Sequence, residues 1–78
     1  MSTATKAPKY AAPALDKGLD ILEVLADAEQ PMSLNALARA MGRTVSEIFR
    51  MVATLEQRAY LSVDTNDRYS LSLKMLEL

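Results

Sequence analysis

The chain has no cysteine and no histidine. Without cysteine there is no disulfide, no thiol nucleophile and no thiolate metal site, and the usual acid/base residue of neutral pH is missing as well. An enzyme made from the remaining residues would need a clustered carboxylate pair, but the acidic residues are scattered over helix surfaces. No catalytic residue, cofactor or metal site is therefore assigned, and the chain reads as a non-enzyme. No apolar run approaches the roughly 20 residues of a membrane span, and the opening "MSTATKAPKYAAPA" lacks the apolar middle of a signal peptide. The expectation is a soluble cytoplasmic protein with no membrane partner. With 78 residues it is one small domain, able to bury only roughly 60% of its unfolded surface, which leaves little room for a ligand cavity.

The net charge is −1, which taken alone argues against a nucleic-acid partner. Its distribution argues otherwise. Residues 1–13 carry +2 from Lys6 and Lys9, and residues 14–32 carry −4, with Asp16, Asp20, Glu23, Asp27 and Glu29 against Lys17. Residues 33–58 return to +2 through Arg39, Arg43, Arg50 and Arg58 against Glu47 and Glu56, and the remainder sums to −1. A phosphate backbone responds to the field within a Debye length, about 8 Å at physiological salt, so the local excess matters more than the total. The same arginines could also simply solvate helix faces.

The first thirteen residues, rich in Ala, Pro, Thr and Lys, have no apolar period and read as a flexible N-terminal arm. Over residues 14–28, "ALDKGLDILEVLADA" sets Leu15, Leu19, Leu22 and Ala26 on one helical face, with Ile21, Val24 and Leu25 spilling onto a second. A stripe this wide suits a helix that buries one face in the core and offers the other, the second face, to a partner. Alternatively, Ile21 and Val24 cover the edge of the core in a monomer. Ser33 is a natural N-cap for "LNALARAMG", a helix of about two turns that Gly42 ends. Thr44 then opens a longer helix, about residues 44–58, and Glu47 three residues on gives the spacing of a capping box. Its core stripe is Ile48, Met51 or Val52, and Leu55.

After this helix the period changes from helical to alternating. "AYLSVD" and "RYSLSL" read as two short strands joined by the polar turn "DTND", with Leu61 and Val63 matching Tyr69, Leu71 and Leu73. The order is helix, short helix, turn, longer helix, hairpin. The fold class is mainly α with a small β-hairpin: a winged helix-turn-helix of three helices and a two-stranded wing over residues 14–73. A helix held behind such a turn fits the major groove. The same plan serves in protein-interaction modules that bind no DNA, which the acidic first helix favours and the arginines around the turn disfavour.

The segments "ALDKGLDILEVLADAEQPMSLNALARAMG", "SEIFRMVATLEQRAYL" and "DRYSLSLKMLEL" together resemble the N-terminal DNA-binding domain of bacterial IclR-type transcriptional regulators. The resemblance covers residues 14–78 and rests on the order and spacing of pieces that are weak one by one. Where the family commonly has leucine and proline after the turn glycine, this chain has Arg43 and Thr44; Phe49 stands where histidine is frequent, and Ala59 where glycine ends the long helix. The resemblance implies a larger C-terminal domain that binds a small-molecule effector and supports oligomerisation. On that expectation residues 74–78 begin a linker helix, and the effector site lies outside this chain.

Facing assigns the contact roles. If Ile48, Val52 and Leu55 point inward, Ser46, Glu47, Phe49, Arg50 and Ala53 or Thr54 lie outward. Arg50 is the leading candidate, bidentate to guanine or gripping a phosphate, unless it pairs with Glu47 or Glu56. Phe49 either packs on a thymine methyl or folds back into the core. Glu47 either accepts from cytosine or only closes the capping box. Ser33, Thr44 and Ser46 stand at helix starts, where free N–H groups suit phosphates. Arg43 in the turn can reach the backbone, and Asn66 and Arg68 at the hairpin tip can touch an adjacent groove or simply be solvated. The resulting expectation is a dimeric reader of double-stranded DNA, a homodimer paired through the first helix, with two recognition helices roughly 34 Å apart or a multiple of that.

Overall fold

A computed structural model describes residues 11–78, with the side chain of Leu76 left aside. Residues 1–10, which hold Lys6, Lys9 and most of the expected N-terminal arm, lie outside the described residues. The chain runs α1 (Pro13–Asp27), β1 (Met32–Ser33), α2 (Leu34–Met41), α3 (Val45–Gln57), β2 (Leu61–Val63), β3 (Arg68–Leu71) and α4 (Leu73–Glu77).

Local chemistry marks each helix boundary. Pro13 sits in the first turn of α1, where its missing N–H and restricted φ cost nothing. The Ser33 hydroxyl accepts from the Ala36 N–H at 3.1 Å and starts α2. Gly42, at φ 69°, ends it: its N–H donates to the Arg39 carbonyl at 3.1 Å, and the Arg43 N–H donates to the Ala38 carbonyl at 2.9 Å. This paired closure is a Schellman motif. The same motif closes α3, with Ala59 donating to Glu56 at 2.9 Å and Tyr60 to Leu55 at 2.8 Å, but here the left-handed position is held by alanine at φ 70°.

The core comprises Ile21 and Leu25 of α1, Leu37 and Ala38 of α2, Ile48 and Val52 of α3, and Leu61 of β2. Ile21, Leu37, Ile48 and Val52 are fully buried, and each such side chain stabilises the fold by about 1.5–3 kcal/mol. With Leu61 of β2 they tie all three main helices and the sheet to one centre, so α3 is held at its inner face while its outer face is free.

Three expectations change. The second face of α1 is the core face: Ile21 is 0% exposed and Leu25 nearly so, whereas Leu15 and Leu19 are 62% and 45% exposed. The surface available to a partner is therefore the Leu15–Leu19 side, because a stripe this wide leaves its centre undetermined until α2 and α3 pack on it. The wing is a three-stranded sheet in the order β1–β3–β2, since Met32 pairs with Tyr69 and Ser33 with Arg68. A two-residue strand has no period to detect. Leu73 does not extend the hairpin; it begins a fourth helix, is exposed, and follows Ser72, where β3 has already ended. Opposite β3, β2 keeps the expected match of Leu61 with Leu71 and Val63 with Tyr69.

Candidate nucleic-acid interface

The outer side of α3 is set by the burial of its inner side. With Ile48 and Val52 inward, helical spacing puts Ser46, Arg50, Ala53 and Gln57 on the opposite side, and all four are exposed. Phe49 flanks this face and is also exposed, which excludes the alternative that it folds back into the core. Arg50 forms no ion pair with Glu47 or Glu56; among the described residues the ion pair present is Arg43 with Glu47. Ala53 and Gln57 complete the face, and the spacing from Ser46 and Arg50 was sufficient to find Gln57. Thr54 is exposed too, and like Arg50 it borders the groove against α1.

At the start of α3 the capping box forms in full. The Thr44 hydroxyl accepts from the Glu47 N–H at 3.2 Å and donates to Glu47 Oε1, also at 3.2 Å, while the Thr44 N–H donates to the same oxygen at 2.8 Å. Glu47 Oε2 faces Arg43 Nη1 at 3.5 Å. The Thr44 backbone N–H holds the Glu47 carboxyl below its usual value; desolvation opposes it, and the Thr44 hydroxyl and then the charges of Arg43 and Lys17 lower it further. Both carboxylate oxygens thus serve the helix start. Exposed ion pairs of this length contribute little, so a phosphate can draw Arg43 away from Glu47 without loss to the cap.

The wing tip is organised by Asp64, which the sequence reading passed over. Its Oδ1 accepts from the N–H groups of Asn66 at 2.8 Å and Arg68 at 3.0 Å, and its carbonyl accepts from Asp67 at 3.0 Å. Asp67 takes φ 60° to close the loop, the left-handed last position of a three-residue hairpin connection. Asn66 and Arg68 are exposed at this tip. Ser33 joins them through its pairing with Arg68, so it belongs to the wing side and not to the α3 face. Inside the sheet, burial and then the charges of Glu56 and Asp67 raise the Tyr69 phenol above its ordinary value.

Two grooves flank the helix layer. One, open and of about 390 Å³, runs between α1 and α3 and is lined by Leu15, Gly18, Leu19, Leu22, Met51 and Leu55, with Arg50 and Thr54 at its rim. The other lies between α1 and α2 and holds Asp20, Glu23 and Asp27 beside Ala40 and Met41. Three of the four acidic residues of α1 are thereby gathered on the α2 side, all but Asp16, and no residue of α3 borders that groove. The low net charge of the whole chain conceals this separation.

The family model of the IclR helix-turn-helix domain matches residues 14–65, from the start of α1 through β2. No curated protein matches the chain. Among solved structures it is similar to Pseudomonas aeruginosa HmgR, at 28% identity and a TM-score of 0.77, over 85% of this chain and 28% of that one. An IclR transcriptional regulator from Alicyclobacillus acidocaldarius matches at 24% identity with a TM-score of 0.81, over 87% of this chain and 28% of the other. The chain thus spans about 28% of the length of each regulator. The second Z-DNA-binding domain of human DAI, solved in complex with Z-DNA, shares the fold at 21% identity and a TM-score of 0.65, over 87% of this chain and 98% of that domain. Because the family match takes in both helices of the helix-turn-helix, the turn between them and the first helix that supports them, the chain belongs to the IclR helix-turn-helix domain family.

Proposed function

We propose that this chain is the DNA-reading part of a dimeric, cytoplasmic bacterial transcription regulator, binding duplex DNA with α3 in the major groove. One observation carries the reading: Arg50 stands on the exposed face of α3, beside the groove against α1, without an ion pair among the described residues. A guanidinium so placed is suited to guanine O6 and N7 or to a phosphate. Ser46 and Thr44 at the helix start and Arg43 in the turn would contact the backbone. Asn66 and Arg68 would place the wing against the neighbouring groove.

In this reading the residues before α1 are an arm, α1 through β3 form the winged helix-turn-helix, and the helix that begins at Leu73 leads to a C-terminal domain carrying the small-molecule effector site. Two copies pair through the Leu15–Leu19 side of α1. The test is fluorescence anisotropy against random duplexes across a salt series, with an Arg43→Ala/Arg50→Ala variant alongside. Affinity should fall log-linearly with salt, and the variant should show a slope shallower by about two for each chain bound. No binding at low salt by a folded chain, even when fused to a dimerising coiled coil, would sink the proposal.

A further inference from the structure

Phe49 is an anomaly on α3. It is 56% exposed, is the one large apolar side chain exposed on that helix, and takes no part in the packing around the core. Directly beside it in the chain is Arg50, and one helical turn on is Ala53, also exposed. Residues four apart are neighbours on a helix surface, so Phe49 and Ala53 form a short apolar strip along one edge of the face that Arg50 occupies. Glu47, two residues before Phe49, points to the opposite flank of the helix, where its carboxylate is engaged by Thr44 and Arg43.

If α3 enters the major groove, an apolar strip meets base edges that are almost wholly polar. Adenine, guanine and cytosine present donors and acceptors there, and only thymine offers an apolar group, its C5 methyl. A strip of phenyl and methyl laid on any other base would cover polar atoms without pairing them, which is penalised. Phe49 stands in the second turn of α3, near the end that helix-turn-helix domains direct at the bases. We infer that Phe49, with Ala53 beside it, selects a thymine by its methyl group next to the base or phosphate that Arg50 contacts. This inference rests on the DNA-binding reading above and adds to it a base preference.

The experiment starts from duplexes enriched out of a random pool by the wild-type chain, dimerised by coiled-coil fusion if it is a monomer. Each thymine of the enriched site is replaced in turn by deoxyuridine, which removes the methyl and leaves the base pair intact, and affinities are measured for wild type and Phe49→Ala. At one thymine in each half-site the loss of the methyl should weaken wild-type binding about fourfold, the effect of burying one methyl, and should leave Phe49→Ala binding unchanged. Phe49 is exposed, so the variant should fold, and the deoxyuridine series alone tests the methyl. An enriched sequence whose thymines all tolerate deoxyuridine, or a methyl effect that persists in Phe49→Ala, would overturn the inference while leaving DNA reading intact. If no sequence is enriched, the specific-DNA reading fails and the inference fails with it.

Discussion

The ε-ammonium of Lys74 donates to the backbone carbonyl of Arg58 at 3.3 Å, and it also stands 4.8 Å from the centroid of the Tyr60 ring. Arg58 is the C-cap of α3, where helix carbonyls lack internal partners and carry the negative end of the dipole. Ser72 reinforces the contact: its hydroxyl donates to the Ala59 carbonyl, and its N–H donates to Tyr60 at 3.0 Å. The first turn of α4 is therefore fastened to the end of the helix whose other end faces the candidate DNA surface.

Lys74→Met keeps helix propensity and stem length while removing the donor and the cation. It should cost about 0.5–1 kcal/mol, the range of an exposed cation–π contact. Amide exchange should speed up across Leu73–Glu77, with the core amides of α3 little changed. Unchanged exchange in α4 would mean that Ser72 and packing alone hold it.

Ala59→Gly should stabilise the domain. Alanine at φ 70° is strained where glycine is not, and the Schellman bonds on either side leave the backbone no alternative path. The gain expected is about 1 kcal/mol, read as a higher urea midpoint at constant m. Gly42→Ala, at the equivalent position of α2, should lose a similar amount. The two variants moving in the same direction would refute this account.

The pH dependence follows from two groups. The Glu47 carboxyl is lowered below its ordinary 4.5 in the folded chain, so its stabilising effect is fully present above that value and disappears as pH falls through the folded pKa. Glu47→Gln can still close the capping box, and it should flatten the acid limb of a plot of melting temperature against pH. The Tyr69 phenol is raised above its ordinary 10.0. Its contribution is complete below pH 10 and is lost as pH climbs through the raised value, so Tyr69→Phe should flatten the alkaline limb instead. An acid limb identical in wild type and Glu47→Gln would show that the cap does not depend on charge.

What could be read in the sequence divides along physical lines. Helix starts were legible because their chemistry is local: Ser33, Thr44 and Glu47 hydrogen-bond within three residues of themselves. The outward side of α3 was legible because Ile48, Val52 and Leu55 repeat at helical spacing. The core face of α1 was not, since apolar residues lie on both sides and only the docking of α2 and α3 chooses Ile21 and Leu25. Nor was β1, whose two residues acquire their strand character from Tyr69 and Arg68, far along the chain. Asp64 was missed for a different reason. In a loop an aspartate reads as solvation until the N–H groups of Asn66 and Arg68 are seen turned toward it.

The last prediction concerns pairing. Leu15 and Leu19 lie four residues apart on the open side of α1, 62% and 45% exposed, beside Gly18, around which a Cβ would meet nothing within 4 Å. If two copies meet there, four half-exposed leucines lose the rest of their water contact. At about 1 kcal/mol for each remaining half, that is roughly a thousandfold in association, less whatever ordering costs. Leu15→Gln/Leu19→Gln keeps good helix formers at both positions and removes no core contact. The variant should shift a sedimentation equilibrium toward monomer by at least about tenfold, while its urea midpoint, measured on the monomer, stays close to that of the wild-type monomer. A matching loss of monomer stability would mean that these leucines serve the fold. An unchanged self-association would move the pairing surface away from α1 altogether.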